Sequence, residues 1–177
     1  MESIPYDKRS GKIWFNGKNV EWAEAQVHVL SHGLHYASCV FEGIRVYDGE
    51  VFKLEEHTDR LFYSAKRMSM NVPYSSEEIN KATREIVKIQ KTQDGYIRPV
   101  IWRGSEMMAI SAQKNKINVA IATWEWGSYF DPKLKTEGIK LDISSWRKPS
   151  PDSIPWDTKA SGLYMISTLS KHEAEAK

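Results

Sequence analysis

The run Ile154-Pro-Trp-Asp-Thr-Lys-Ala-Ser-Gly-Leu-Tyr-Met165 concentrates the chemistry of this sequence on one residue, Lys159. A lysine amine, once deprotonated, condenses with an aldehyde to an imine that a second amine can displace. A lone lysine is ordinarily a solvated surface residue, and the neighbours set this one apart. It follows a proline-rich loop and precedes Ala160, Ser161 and Gly162, small residues that let a flat ligand approach the backbone, with Tyr164 just beyond. His32 and His35 invite a metal reading, but no carboxylate or cysteine set beside them completes a ligand cluster, so no metal is expected. Cys39 is the single cysteine, which excludes an intrachain disulfide and a cysteine-rich zinc site and suits a reducing cytosol.

The 177 residues are 41% hydrophobic and 27% charged, an ordinary globular composition and enough chain for one domain or one and a fraction. Seven Trp and eight Tyr point to a large aromatic core, an aromatic-lined pocket, or both. Lys and Arg total 25 against 23 Asp and Glu, a net charge of +2 that is far from the clustered basicity of a nucleic-acid binder. Lys114, Lys116, Lys133, Lys135 and Lys140 are scattered among polar residues and read as solvated surface, the other reading being a phosphate or acidic-partner patch. The start of the chain has no apolar run of signal-peptide length and no later stretch could span a bilayer, so a soluble, cytoplasmic protein with no membrane partner is expected.

The elements that must position Lys159 are legible in the patterning. Ile13 to Val20 reads as two short strands around an Asn16-Gly17 turn, and Gly43 to Tyr47 with Val51 to Leu54 as a second hairpin around Asp48-Gly49. From Glu55 to Met70, Leu61, Phe62, Ala65 and Met68 mark an amphipathic helix with Arg60 beside its apolar stripe. Ser75 and Glu78 have capping-box spacing ahead of a second helix that runs to about Lys91. Tyr96 to Trp102, Ile117 to Trp124 and Ile139 to Trp146 read as further strands. Arg147 to Trp156, with three prolines, reads as a loop, and Tyr164 to Lys177 as a weakly amphipathic helix without a stop signal.

Three segments, Phe41-Glu-Gly-Ile44 (within the run His35 to Arg45), Tyr96-Ile-Arg-Pro99 and Lys159-Ala-Ser-Gly162, closely resemble the branched-chain aminotransferases, pyridoxal-phosphate enzymes of fold type IV. The resemblance runs from about Ile13 to Lys177. It implies that Lys159 holds pyridoxal 5'-phosphate as a Schiff base, that Tyr164 hydrogen-bonds the cofactor's phenolic oxygen, and that Arg60 grips its phosphate, for which a planar fork of donors is suited. A helix-surface arginine paired with Glu56 or Asp59 is the other reading of Arg60, and its replacement is expected to affect the cofactor far more than folding. Tyr36, Phe41, Arg98, Trp126 and Tyr129 match positions that line the substrate pocket, an aromatic wall for a branched side chain with Arg98 and Tyr36 at the carboxylate end.

The expected fold class is α+β: a small two-layer N-terminal domain, residues 1–126, with an antiparallel sheet and two helices. A connector at 127–138 leads to an incomplete, β-rich cofactor-binding domain at 139–177. The resemblance implies transfer of an amino group from leucine, isoleucine or valine to 2-oxoglutarate, with small-molecule amino and 2-oxo acids as partners. Family members continue with a glutamate that pairs with the pyridine nitrogen and a loop that helps hold the phosphate. This chain is therefore expected to be incomplete or inactive alone, a non-catalytic fragment or one half of a split enzyme, with a homo-oligomer or a complementing C-terminal chain as partner. A D-amino-acid transaminase or an aminodeoxychorismate lyase would share Lys159 and the fold. A binding module unrelated to the cofactor is a further class.

Overall fold

The structure, a computed structural model, describes residues 4–127 and 133–177. Asn16 and Gly17, at φ of 48° and 88°, close the two-residue turn between β1 (Lys12–Phe15) and β2 (Lys18–Glu21). That turn requires positive φ at both positions, which Asn and Gly tolerate. A short helix α1 (His32–Tyr36) ends on Ala37 in the left-handed region and leads into β3 (Cys39–Phe41), β4 (Ile44–Tyr47) and β5 (Glu50–Val51). Leu54, expected to end a strand, instead starts α2 (Leu54–Arg67), because Lys53 at φ 53° breaks the extended chain. α3 (Ser76–Gln90) carries the predicted capping box, with Ser75 and Glu78 each bonded to the other's backbone.

β6 (Gly95–Arg103) and β7 (Ile117–Glu125) pair along their whole length at the centre of an antiparallel sheet ordered β2-β1-β7-β6-β4-β5, and β3 also pairs with β6. β3 and β4 lie end to end against β6 in one continuous register, Phe41 opposite Val100 and Ile44 opposite Ile97. The strand is split at Glu42 for a chemical reason: its N–H donates to the Pro99 carbonyl at 3.0 Å, but Pro99 has no N–H to return. Strand alternation then sorts the side chains. Val40, Ile44 and Val46 join Ile97, Ile101, Val119 and Ile121 under Leu61 and Ala65 of α2 and Ile79, Ile86 and Val87 of α3, giving the two-layer α+β arrangement. Phe41 and Arg45, with Tyr96 and Arg98 of β6, stand on the opposite face.

α4 (Leu134–Glu137) and α5 (Tyr164–Glu175) complete the helices. The strand expected at Ile139 to Trp146 is not formed: this segment has no ladder partner among the described residues, and Leu141 and Ile143 are both 86% exposed. β propensity alone does not make a strand, because the stabilisation comes from pairing and same-face packing. The segment is tied to α5 instead, where the Ser144 and Ser145 hydroxyls each donate to Glu173 at 3.0 Å. No helix among the described residues is long and apolar enough to cross a membrane.

Candidate active site

Lys159 is fixed by its backbone from two sides. Ala160 forms a bridge to Val40, and the Phe41 N–H donates to the Lys159 carbonyl at 3.2 Å, so the lysine segment extends the β3 side of the sheet. The Lys159 N–H donates to the hydroxyl of Ser64 on α2 at 3.1 Å, and Ser64 is wholly buried. The same helix face holds Asp157, which accepts from the Tyr63 hydroxyl and from Arg67 Nε. These bonds keep the Asp157 carboxyl below its ordinary value, the Tyr63 bond contributing most. Gly162 packs closely here: a Cβ on it would stand 3.0 Å from the Ala37 side chain.

The Lys159 side chain opens into a cleft of about 360 Å³ lined by Phe41, Arg45, Tyr96, Arg98, Trp126 and Tyr164. Its Nζ donates to the Tyr164 hydroxyl at 2.6 Å and lies 4.9 Å from the ring centres of Phe41 and Tyr164. Those two rings pack against each other at 4.8 Å. Arg98 lies 4.5 Å above the Phe41 ring and donates to the Tyr96 hydroxyl at 3.2 Å, while its Nε is buried with no hydrogen-bond partner. Tyr96 in turn meets Trp126 edge to face at 4.9 Å. The cleft thus joins one amine, two phenols, an aromatic wall and two guanidinium groups.

Beneath Phe41, on the helix-facing side of the strand, sits a carboxylate with no exposed surface, Glu42. Arg60 of α2 grips it with a fork, Nε to one oxygen at 2.5 Å and Nη2 to the other at 2.8 Å. His57 Nδ1 donates to that second oxygen at 2.9 Å, and the Gly43 N–H at 3.2 Å. Burial by itself would raise the Glu42 carboxyl, but the bonds from Arg60 and His57 outweigh it and hold it below the usual carboxylate range. Arg60 is raised by the same pairing. The helix-surface pairing with Glu56 or Asp59, the other reading of Arg60, is not formed: Glu56 pairs with Lys53 one turn away, and Glu42, distant in sequence, takes the guanidinium.

The structure brings Lys159, Tyr164, Phe41, Arg98 and Trp126 into one cleft. Arg60 stands outside its lining, turned onto Glu42. Tyr36 is not brought to the cleft; α1 carries it away to stack on His32 at 4.4 Å, and it is 46% exposed. Tyr129 lies outside the described residues. Sequence reasoning passed over Arg45, Tyr96 and Glu42 as site residues, although each stands inside a segment singled out by its motif. The signal available was alternation, which places Arg45 on the Phe41 face and Glu42 on the other. His32 is a structural histidine: its Nε2–H donates to the Ala109 carbonyl at 3.1 Å, leaving Nδ1 to accept from the Ser38 hydroxyl at 2.6 Å. Among the described residues no group of three or more His, Cys, Asp or Glu side chains is placed to hold a metal ion.

Known proteins share this fold. Residues 39–177 match the profile of the family described as amino-transferase class IV. The chain is 43% identical over 170 residues to the branched-chain-amino-acid aminotransferase of Pseudomonas aeruginosa, covering 94% of this chain and 55% of that protein. It is 40% identical over 172 residues to the same enzyme of Escherichia coli K12, covering 94% and 56%. The crystal structure of the T.th. branched-chain amino acid aminotransferase with pyridoxamine 5'-phosphate superposes with a TM-score of 0.90 at 38% identity, over 95% of this chain and 57% of that one. The branched-chain aminotransferase of Thermoproteus uzoniensis with norvaline gives 0.87 at 38% identity, over 95% and 57%. The chain spans little more than half the length of these relatives. A match that begins at the first residue of β3 and runs through the lysine segment to Lys177, joined to so close a superposition, makes this chain a member of the class IV amino-transferase family.

Proposed function

We propose that this chain carries the lysine-bearing part of a pyridoxal-phosphate-dependent transaminase acting on branched-chain amino acids and 2-oxo acids. The observation that carries the reading is the Lys159 amine held 2.6 Å from the Tyr164 hydroxyl in an aromatic cleft that also contains a buried, unpartnered Arg98 Nε. The donor set fits the cofactor. An amine suits its aldehyde and Tyr164 suits its phenolic oxygen. A cleft of about 360 Å³ lies within the range of small-molecule sites, roughly 300–1,000 Å³. Arg60, with donors left over from Glu42, would take the phosphate. When bound, pyridoxal phosphate supplies an electron sink for the charge that develops at the substrate's α carbon.

The chain's own residues then divide the work. Lys159 would hold the cofactor through Nζ, and its free amine would serve as general base and acid for the proton at the substrate's α carbon. Tyr164 keeps Nζ aimed into the cleft. Phe41 and Trp126 exclude water and accept a branched aliphatic side chain, and Arg98 offers its free Nε–H to a carboxylate. Residues 1–126 would form the small domain, 127–138 the connector and 139–177 the opening of the cofactor-binding domain. We place the protein in the cytoplasm, as a homo-oligomer or with a complementing chain.

The test is borohydride reduction after incubation with pyridoxal phosphate, followed by peptide mapping. The label is expected on Lys159 and lost in Lys159→Ala. Label spread evenly over surface lysines such as Lys114 and Lys133 would refute the assignment.

A further inference from the structure

We propose that Glu42 is a positioning residue for the cofactor phosphate: it clamps one edge of the Arg60 guanidinium and so presents the other edge as a preformed donor site. The inference rests on the reading of Arg60 as the phosphate contact. It goes beyond that reading by assigning a role to a buried carboxylate that touches neither cofactor nor substrate.

Glu42 has no exposed surface, sits between β3 and β4 with its N–H held by the Pro99 carbonyl, and receives Arg60 on both oxygens at 2.5 and 2.8 Å. Two parallel bonds fix both the position and the plane of a guanidinium, which one bond cannot do. Arginine has five N–H donors. Glu42 takes one from Nε and one from Nη2, so Nη1 and the outer Nη2 hydrogen remain, and the Arg60 side chain as a whole is 54% exposed. An unclamped arginine on a helix surface samples many rotamers, and holding it at the moment of binding costs side-chain entropy. The clamp removes most of that cost in advance.

Arg60 is also placed for the task. It lies one helical turn before Ser64, on the same face of α2, and Ser64 accepts the Lys159 backbone N–H. One helix face therefore aims Arg60 and anchors Lys159. His57 completes the device by donating to Glu42 at 2.9 Å, which leaves the carboxylate satisfied and charged.

The experiment compares pyridoxal phosphate with pyridoxal, which lacks the phosphate, by absorbance titration of the wild-type chain, Glu42→Gln, Arg60→Ala and the double variant. Glu42→Gln is expected to weaken pyridoxal phosphate about fivefold or more while moving pyridoxal less than about twofold, and to add nothing in the Arg60→Ala background, as coupled neighbours do. A phosphate preference that survives in Glu42→Gln overturns the positioning role alone. Tighter pyridoxal phosphate binding in that variant overturns it too, since the carboxylate would then be a competitor. A wild-type chain with no preference for the phosphorylated compound overturns both the role and the Arg60 reading. A second measurement needs no folded variant: in ¹⁵N spectra of the cofactor-free wild type, the Arg60 Nε–H signal should be protected and should stay in place on cofactor addition. An Nε–H that exchanges like that of a free arginine overturns the clamp.

Discussion

Replacing Arg60 by alanine should destabilise the cofactor-free chain, contrary to what its position on a helix surface suggests from sequence. An exposed helix residue without partners changes stability by about 0.5 kcal/mol or less. Arg60 instead covers a buried carboxylate. Glu42 Oε1 has Arg60 Nε as its partner, whereas Oε2 keeps His57 Nδ1 at 2.9 Å and the Gly43 N–H at 3.2 Å. Breaking a fully buried pair costs about 3–5 kcal/mol. Arg60 is half-exposed, so water enters the space it leaves, and one oxygen of Glu42 stays bonded. Two charge-assisted bonds are lost but water replaces part of them, so about 2 kcal/mol is the better figure. For a chain of 177 residues this lowers Tm by about 4–8 °C.

The pH dependence gives the sign. Glu42 is held below its ordinary value in the folded chain, so its contribution is present above the unfolded carboxylate value of about 4.3 and is lost as pH falls through the lower folded value. Without Arg60, burial is less well opposed and the variant's carboxyl moves up. The Tm deficit of Arg60→Ala should therefore be full at pH 7 and shrink as the pH falls through the variant's raised carboxyl value towards the lower wild-type one. Adding Glu42→Gln should recover much of it at pH 7. Thermal melts from pH 3 to 8 are the assay, and a Tm at pH 7 within about 1 °C of wild type would refute the reasoning.

Ser64→Ala removes the acceptor of the Lys159 N–H, costing about 1 kcal/mol; faster amide exchange at Lys159 is the readout, and unchanged exchange would count against the anchor. Gly43→Ala would place a Cβ 1.8 Å from the Tyr96 hydroxyl, so the ring must leave Trp126 and Arg98, at a cost of about 1–3 kcal/mol and with a changed tryptophan emission. An emission spectrum identical to wild type would show that Tyr96 had not moved.

Local signals carried far through this chain. The Asn16-Gly17 turn, the Ser75 and Glu78 capping box and the apolar stripe of Leu61 and Ala65 are short-range preferences, and the structure keeps each of them. The lysine segment and Arg98 were legible as site residues because their motifs are contiguous. The strand expected at Ile139 to Trp146 failed for the complementary reason: a strand is defined by its neighbour, and composition does not contain the neighbour. Tyr36, adjacent in sequence to the Phe41 motif, left the cleft because Ala37 turns the chain before β3. The pairing of Arg60 with Glu42 was likewise invisible, since sequence offered Glu56 and Asp59 within one helical turn and only the packing of α2 on the sheet brings residue 60 over residue 42. Helices and turns obey interactions a few residues long, which the sequence states directly. A cleft that joins the Lys159 amine, the Arg98 guanidinium and an aromatic wall from different elements exists only once the sheet has set their register.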